Sequence, residues 1–457
     1  MAISPGRGPP TTRTRRQRMA DGKATRRRVP RSAHSGWVPA KARPDPLNTL
    51  EMASRSRVPS LVPIWYGRMS LSPFTFYRGS ASIMAADLAT TPATGKRVQL
   101  CGDAHLGNFG IFATPERDRV FDLNDFDETL PGPWEWDVKR LATSLVLAGR
   151  NHNFSVEANR KAVRTAVRTY RRATQNFGTA RYLDTWYSHI DRRTISNRFS
   201  REGREVIGAA LHRARQRTGL HAFPKLVQSI HSQYRIRDDP PLIVHYRDSA
   251  DAEQSRRFYD HYLTTLTDER RELLERYHIV DVAQKVVGVG SVGTVCSVLL
   301  LMGDRDVEDP LFLQLKQANA SVLEPYAGAS RYENHAQRVV IGQHLIQEAS
   351  DIFLGWSRLQ SRDFYFRQLR DMKFSTDLTA LRPKALLGQA ELCGAALARA
   401  HARTGDPAFI SGYLGNRDLF DTAITAYAEA YADQVARDHA ALLRAIRRGR
   451  IAAEVDV

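Results

Sequence analysis

The chain has 457 residues, 42% hydrophobic and 25% charged, with a formal net charge of +18. This is the composition of a globular protein long enough for two or three domains, and the absence of any run of about 18 apolar residues excludes a membrane-spanning helix. Three widely spaced cysteines, Cys101, Cys296 and Cys393, make neither a disulfide framework nor a zinc site; with an N-terminus lacking an apolar signal core, they predict a cytoplasmic protein.

Residues 1–45 carry twelve Lys/Arg against Asp21 and Asp45, a net of +10 that leaves +8 for the other 412 residues. With much Pro, Thr and Ser and little apolar periodicity, this segment is expected to be a disordered basic tail. Such a tail binds nucleic acid only non-specifically, so no specific nucleic-acid partner is expected. From Pro46 the chain turns globular: "SASIMAADLAT" predicts a short helix, and "RVQLCGD" and "DRVFDLNDFD" predict strands. Val138, Leu141 and Leu145 are at helical spacing in "WDVKRLATSLVLAG". A mostly helical, Arg-rich stretch is expected from Ser155 to about Arg276. Then "DVAQKVVGVGSVGTVCSVLLLMGDRDVEDPLFLQLKQA" predicts a hairpin-rich β unit. "NHAQRVVIGQHLIQEASDIF" reads as a helix, "DFYFRQL" as a strand, and the Ala-rich chain from Pro383 as helices. The predicted division is 46–275 for the first part of a helical lobe, 276–375 for a β-rich lobe, and 376–457 for the rest of the helical lobe.

Two acidic motifs carry chemistry. In "GDAHLGNFG" Asp103 and Asn108 are five residues apart, and "NDFDE" places Asp125 after a β-turn-β gap, with Asp122 and Asp127 as rivals. Phosphoryl transfer needs a carboxylate to orient the acceptor hydroxyl and oxygen ligands for Mg²⁺ nearby. Asp103, with His105 beside it, is the candidate for the first role; Asn108 and Asp125 are candidates for the second. Either motif alone is more readily a capped glycine turn; the two in sequence favour the site. Asp103-x-His105 also fits a dinuclear metallophosphoesterase, but no downstream H-x-H or G-N-H-D/E supplies the nitrogen donors.

"VVGVGSVGTV" contains Gly288-x-Gly290-x-x-Gly293. A dinucleotide-binding unit would open a helix at the third glycine. Here β-branched residues follow, and Val295 completes G-x-G-x-x-G-x-V, the phosphate-covering hairpin. Lys316 then lies on a strand, sharing a face with Phe312 and Gln314, as a phosphate-binding lysine would. Glu324 and Glu333 both compete to pair with it, and Glu324 is preferred.

These residues resemble the protein-kinase-like superfamily, especially its aminoglycoside and choline phosphotransferase branch. "CGDAHLGNFG" is similar to the branch's H-G-D-x-H-x-x-N loop, with Cys101 where its first His stands. "NDFDETLPGPWEWDVKRLA" resembles the metal-binding segment, which puts the metal Asp on Asp125 and a structural Asp at a helix start on Asp137. "LARAHAR" resembles the helix that precedes the catalytic loop. Residues 55–430 also resemble an uncharacterised bacterial domain family through "FYRG", "GDAHLGNFG", "NDFDETLPGPWEWD" and "VGVGSVGT". The order is inverted, since Gly288 follows Asp103 by some 185 residues, and a circular permutation would reconcile it. The resemblance therefore implies an α+β, two-lobed kinase-like fold in permuted order, with ATP and Mg²⁺ as cofactors. The acceptor would be an unidentified hydroxyl-bearing substrate, small molecule or protein, with determinants in 155–276. Arg78, Asp127, Arg367 and Lys373 are further contacts for phosphate or substrate. AMP transfer from the same cleft, or a non-catalytic nucleotide-binding scaffold, are the alternatives.

Overall fold

The computed structural model describes residues 13–191, 199–215, 219–231, 233–246, 252–286, 288–290, 292–369, 372–375, 378 and 381–455. Val287 and Ser291 of the glycine-rich loop, and residues 1–12 of the basic segment, lie outside these.

The chain begins differently from expectation. Arg15–Thr25 is a helix, α1, opened by a capping box between Thr14 and Gln17. It docks on α10 (Pro407–Leu414) through reciprocal glycines: a Cβ on Gly22 would run into the Phe409 carbonyl, and one on Gly412 into that of Met19. The arginines have structural partners. Arg26 donates to the carbonyls of Tyr413 (2.8 Å) and Gly412, and Arg31 to that of Leu414 (2.7 Å), so they satisfy the carbonyls a helix leaves free at its C-terminus. The expectation of a disordered tail over 1–45 thus fails for the described part, because its cations cap a helix.

Next come α2 (Pro73–Gly79), α3 (Ala81–Ala89) and β1 (Arg97–Leu100), then the hairpin β2 (Phe109–Ala113) and β3 (Arg119–Leu123). β4 (Leu130–Pro133) pairs antiparallel with β1 and leads into α4 (Trp134–Asn151), most of which is buried. α5 (Val156–Thr179) lies against α9 (Pro383–Thr404), close enough that Gly394 touches the Ala166 backbone. α11 (Leu419–Arg447) completes this helical body.

A correction concerns the stretch read as helical up to Arg276. After α6 (Gly219–Leu226) it contains β5 (Val227–Ile230), β6 (Gln233–Ile236) and β7 (Ile243–His245), followed by α7 (Ala252–Thr264). β7 pairs with β8 (His278–Lys285), so the β unit takes a strand from before residue 276. With β9 (Cys296–Met302), β10 (Pro310–Ala318), β11 (Gly355–Leu359) and β12 (Arg362–Gln368), the sheet order is β11-β12-β10-β9-β8-β7, antiparallel throughout. The uninterrupted apolar run of β9 follows from burial on both faces. Val298, Leu300 and Met302 pack with Leu226 and Ile243, whereas Leu299 and Leu301 pack with Tyr262 and Leu274. α8 (His335–Ile346) crosses between this sheet and the helical body, and β13 (Phe374–Ser375) adds to β2.

The end of α9 meets the start of the Asp103 segment. Gln99 N–H donates to Thr404 Oγ1 at 3.0 Å across 305 residues of sequence. Helix and loop are neighbours in space although far apart in the chain.

Candidate functional site

The loop after β1 is fixed at its base by Asp137, in the first turn of α4. Its carboxylate accepts from the N–H of Cys101 (2.7 Å) and of Gly102 (3.0 Å) and lies 3.3 Å from His401 Nε2 on α9. Gly102 has φ +86°, and a Cβ there would meet the Glu128 carbonyl, so glycine is required by both conformation and space. One helical turn past Asp137, Arg140 donates from Nε to Asp103 Oδ1 at 2.6 Å. Its Nη2 binds the Tyr77 carbonyl (2.8 Å), and its guanidinium lies 4.1 Å from the centre of the Tyr77 ring. Burial pushes the Asp103 carboxyl above its ordinary range, against the pull of Arg140.

His105 accepts from Gly107 N–H through Nδ1 (3.0 Å), and its Nε2 is 3.7 Å from Asp103 Oδ2. Burial, with Arg78 and Arg140 close by, holds the imidazole well below its usual pKa, hence neutral. Asn108 donates its Nδ2 to the Asp103 carbonyl at 2.6 Å. That leaves Oδ1 as its acceptor.

From β10, Lys316 reaches the second acidic motif. Its Nζ binds Asp127 and lies 3.8 Å from Asp125 Oδ2. Tyr365, directly opposite Lys316 in the β10–β12 register, donates its hydroxyl to Asp127 Oδ1 at 2.8 Å. Burial would raise the Asp125 carboxyl, but Lys316 and Arg367 outweigh it and hold the group at about 2. Lys316 is 1% exposed; burial opposes its charge, and the two carboxylates more than restore it.

The glycine-rich loop joins β8 to β9, with Gly288 at φ +64° and Gly293 at φ +85°. Three donors from one N-terminal segment hold its carbonyls. Arg57 binds those of Gly290 (2.9 Å) and Val292, Arg68 that of Gly288 (2.5 Å), and Val58 N–H that of Gly293 (2.7 Å).

The two acidic motifs and the glycine-rich loop meet in one cleft, and Lys316 lies buried beside it. Its wall includes Asp103, His105, Asn108, Asp125, Asp127 and Glu128 from the two acidic motifs, Gly288, Val289 and Gly290 from the glycine-rich loop, and Arg57 and Arg78. A model of a family described as an uncharacterised protein conserved in bacteria (DUF2252) matches residues 57–445. The chain belongs to that family. No curated protein and no solved structure matches it.

In this DUF2252 chain several residues singled out from sequence are placed elsewhere. Glu324 is not the partner of Lys316: it accepts from Ser321 N–H (3.2 Å) and lies 3.9 Å from His335 Nδ1. The counter-ions of Lys316 are Asp127 and Asp125, supplied by the other motif. Asp122 faces away from the cleft and pairs with Arg399 Nη2 (2.5 Å). Gly293 sits behind the cleft wall against Arg57. Arg367 and Lys373 line a second cavity and are absent from the wall of the first.

Other residues of the DUF2252 cleft were not anticipated. Arg140 lies three residues after Asp137, so helical phase alone would have put both on the loop side of α4. Arg338 of α8 donates to the carbonyls of Thr129 (2.7 Å), Asp127 (2.8 Å) and Asn319 (2.8 Å), tying the acidic segment to the end of β10. Glu128 accepts from Val322 N–H (2.7 Å), and burial lifts its carboxyl to about 7. No sequence signal marked Arg57, Arg68, Arg338 or Glu128. Among the described residues no three His, Cys, Asp or Glu groups cluster as a metal site.

Proposed function

We propose that the chain is an ATP- and Mg²⁺-dependent phosphotransferase of kinase-like type, two-lobed and circularly permuted, acting on a hydroxyl acceptor. One observation carries the reading. Lys316, on the strand after the glycine-rich hairpin, is paired with Asp127 and Asp125 of a motif 189 residues away, beside the cleft that Asp103 and Asn108 also line. A glycine-rich cover and two kinds of oxygen donor in one cleft, with a lysine buried beside it, are the kinds of part that phosphoryl transfer uses.

The donor set fits Mg²⁺. Asn108 has its amide nitrogen engaged, so that Oδ1 is its acceptor, and Asp125 stays ionised at any working pH. Mg²⁺ takes one or two protein oxygens and completes its shell with water and phosphate, so a cluster of three acidic ligands is not required. When bound, it would neutralise charge on the phosphates. Asp103 would orient the acceptor hydroxyl, with Arg140 supporting its charge against burial. Arg78, whose buried Nε has no partner, would face the transferred group. Among the described residues no cluster of three His, Cys, Asp or Glu groups supports the dinuclear phosphoesterase reading.

Mg·ATP should raise the melting temperature of the full chain by mass action, and Lys316→Met should remove most of the rise. No shift with the wild type would refute nucleotide binding. Phosphorus NMR of turnover separates the chemistries: ADP marks phosphoryl transfer, pyrophosphate marks AMP transfer, and binding without either product marks a scaffold.

A further inference from the structure

Between Glu157 and Asp184 the chain has seven Lys/Arg residues and no acid. Arg171 is buried against Asp421, but Arg160, Lys161, Arg164, Arg168 and Arg172 are exposed, on the side of α5 opposite Ala162, Val163, Ala166 and Val167. Four of them recur at every fourth residue, which makes a ridge roughly 18 Å long with a step of about 6 Å. Arg160, at its start, pairs with Glu429 at 2.8 Å. Among the described residues no hydrogen bond or ion pair engages Lys161, Arg164, Arg168 or Arg172. Like charges four apart on a helix repel, so the ridge weakens α5 unless an anion lies along it.

The ridge leads to exposed rings. In the short helix Tyr182–Trp186 and the residue after it, Tyr182 is 72%, Leu183 66%, Trp186 44% and Tyr187 70% exposed. One exposed hydrophobe needs no explanation, but four within six positions form a patch of the kind that marks a contact surface. Cations surround it. Arg15 of α1 donates to the carbonyls of Thr179 (2.6 Å) and Ala180 (2.8 Å), and Arg18 to the Tyr182 hydroxyl (3.2 Å). The Arg403 guanidinium lies 3.8 Å from the centre of the Trp186 ring. The exposed residues of α5 from Glu157 to Thr179 are all polar, so the ridge has no apolar side to sink into a bilayer. A line of charges ending at open rings matches a chain that carries a phosphate and a flat base at each step.

We propose that this surface binds single-stranded nucleic acid without sequence preference, the α5 ridge taking phosphates and Tyr182, Trp186 and Tyr187 stacking on bases. None of these residues lines the cleft, and the proposal does not depend on the transferase reading. Fluorescence anisotropy of the full chain with labelled oligothymidylate of about 20 nucleotides, over a range of salt, tests it. Arg164→Ala, Arg168→Ala and Arg172→Ala combined should weaken binding at least tenfold. The slope of log affinity against log salt should become shallower by about 2, since each phosphate neutralised on a single strand contributes about 0.7. Tyr182→Ala with Tyr187→Ala should weaken binding at least threefold without changing that slope, and should leave binding to a duplex of the same length within twofold. Arg256→Ala with Arg257→Ala, exposed on α7, should have less than a twofold effect. Every variant keeps the basic N-terminus, so binding by that segment alone would survive the ridge substitutions and overturn the proposal. It is also overturned by absence of oligonucleotide binding, by an equal loss in the α7 variant, or by a tyrosine effect as large on the duplex. Binding to phosphatidylserine vesicles that the ridge variant loses, with no binding of oligonucleotide, would assign the surface to a membrane instead.

Discussion

Asp103 is a carboxylate whose charge the fold both penalises and protects. Burial raises its pKa, and Arg140, 2% exposed, supplies the opposing cation. Removing one partner of a buried pair leaves the other uncompensated, at a cost of about 3–5 kcal/mol. Arg140→Met should therefore destabilise the protein strongly at pH 8. Asp103 would then have a still higher folded pKa, and its stabilising contribution falls as pH rises from the unfolded value through the folded one. The mutant should recover toward wild type at pH 4.5, where the carboxyl protonates. Urea unfolding at both pH values measures this, and Asp103→Asn on the Arg140→Met background should restore much of the loss. An equal deficit at pH 8 and pH 4.5 would rule out the ionic explanation. Motif letters drew attention to Asp103, Asn108, Asp125 and Lys316, because their chemistry and spacing are local. Pairing was not legible. Nearness in sequence favoured Glu324 for Lys316, while its counter-ions lie 189 and 191 residues away, and nothing in Asp127 itself points to a lysine there.

Among the elements, α1 was hidden by its own composition. A segment of arginines with little apolar periodicity reads as solvated chain, since the sequence does not reveal that the carbonyls of a distant helix end will receive them. What marks α1 in retrospect is the Thr14/Gln17 capping pair and a glycine mid-helix, where glycine costs about 1 kcal/mol relative to alanine unless close packing requires it. Gly22→Leu should undock α1 from α10. The expected results are a lower melting temperature and rapid tryptic cleavage within 15–31, with Arg13→Ala, at an exposed site, leaving both unchanged. Unaltered proteolysis in Gly22→Leu would mean that the glycine contact does not hold the helix. The hairpins β2–β3 and β9–β10 were readable because apolar, β-branched runs and the turn residues between them are local signals. Strands β5 to β7 were not, lying as short, half-polar pieces between helices, where pairing of β5 with β6 and of β7 with β8 decides their conformation more than propensity does.

For the molecule as a whole, segments distant in sequence are joined through buried charge. Asp122 of β3 pairs with Arg399 of α9 and accepts from Glu348 N–H (2.7 Å), while burial, with Asp122 adding repulsion, raises the Glu348 carboxyl to about 8. A carboxyl raised in the folded state stabilises below its unfolded pKa of about 4.5, and that stabilisation drains away up to about 8, at roughly 1.4 kcal/mol per pH unit. Glu348→Gln should flatten the fall in unfolding free energy across this window and be the more stable protein at pH 8; a parallel curve would place the titration elsewhere. The chain order has a consequence in time. Gln99 meets Thr404 across 305 residues, and at about 5–20 residues per second a ribosome takes roughly 15–60 s to make that interval. The Asp103 loop leaves the ribosome first, the glycine-rich hairpin much later, and the helix that backs the loop later still. Throughout that delay Asp125 and Asp127 have no lysine, and the apolar underside of β1 has no α9. The nascent chain therefore cannot close this cleft until nearly all of it has been synthesised, and its early half must be kept from aggregating while it waits.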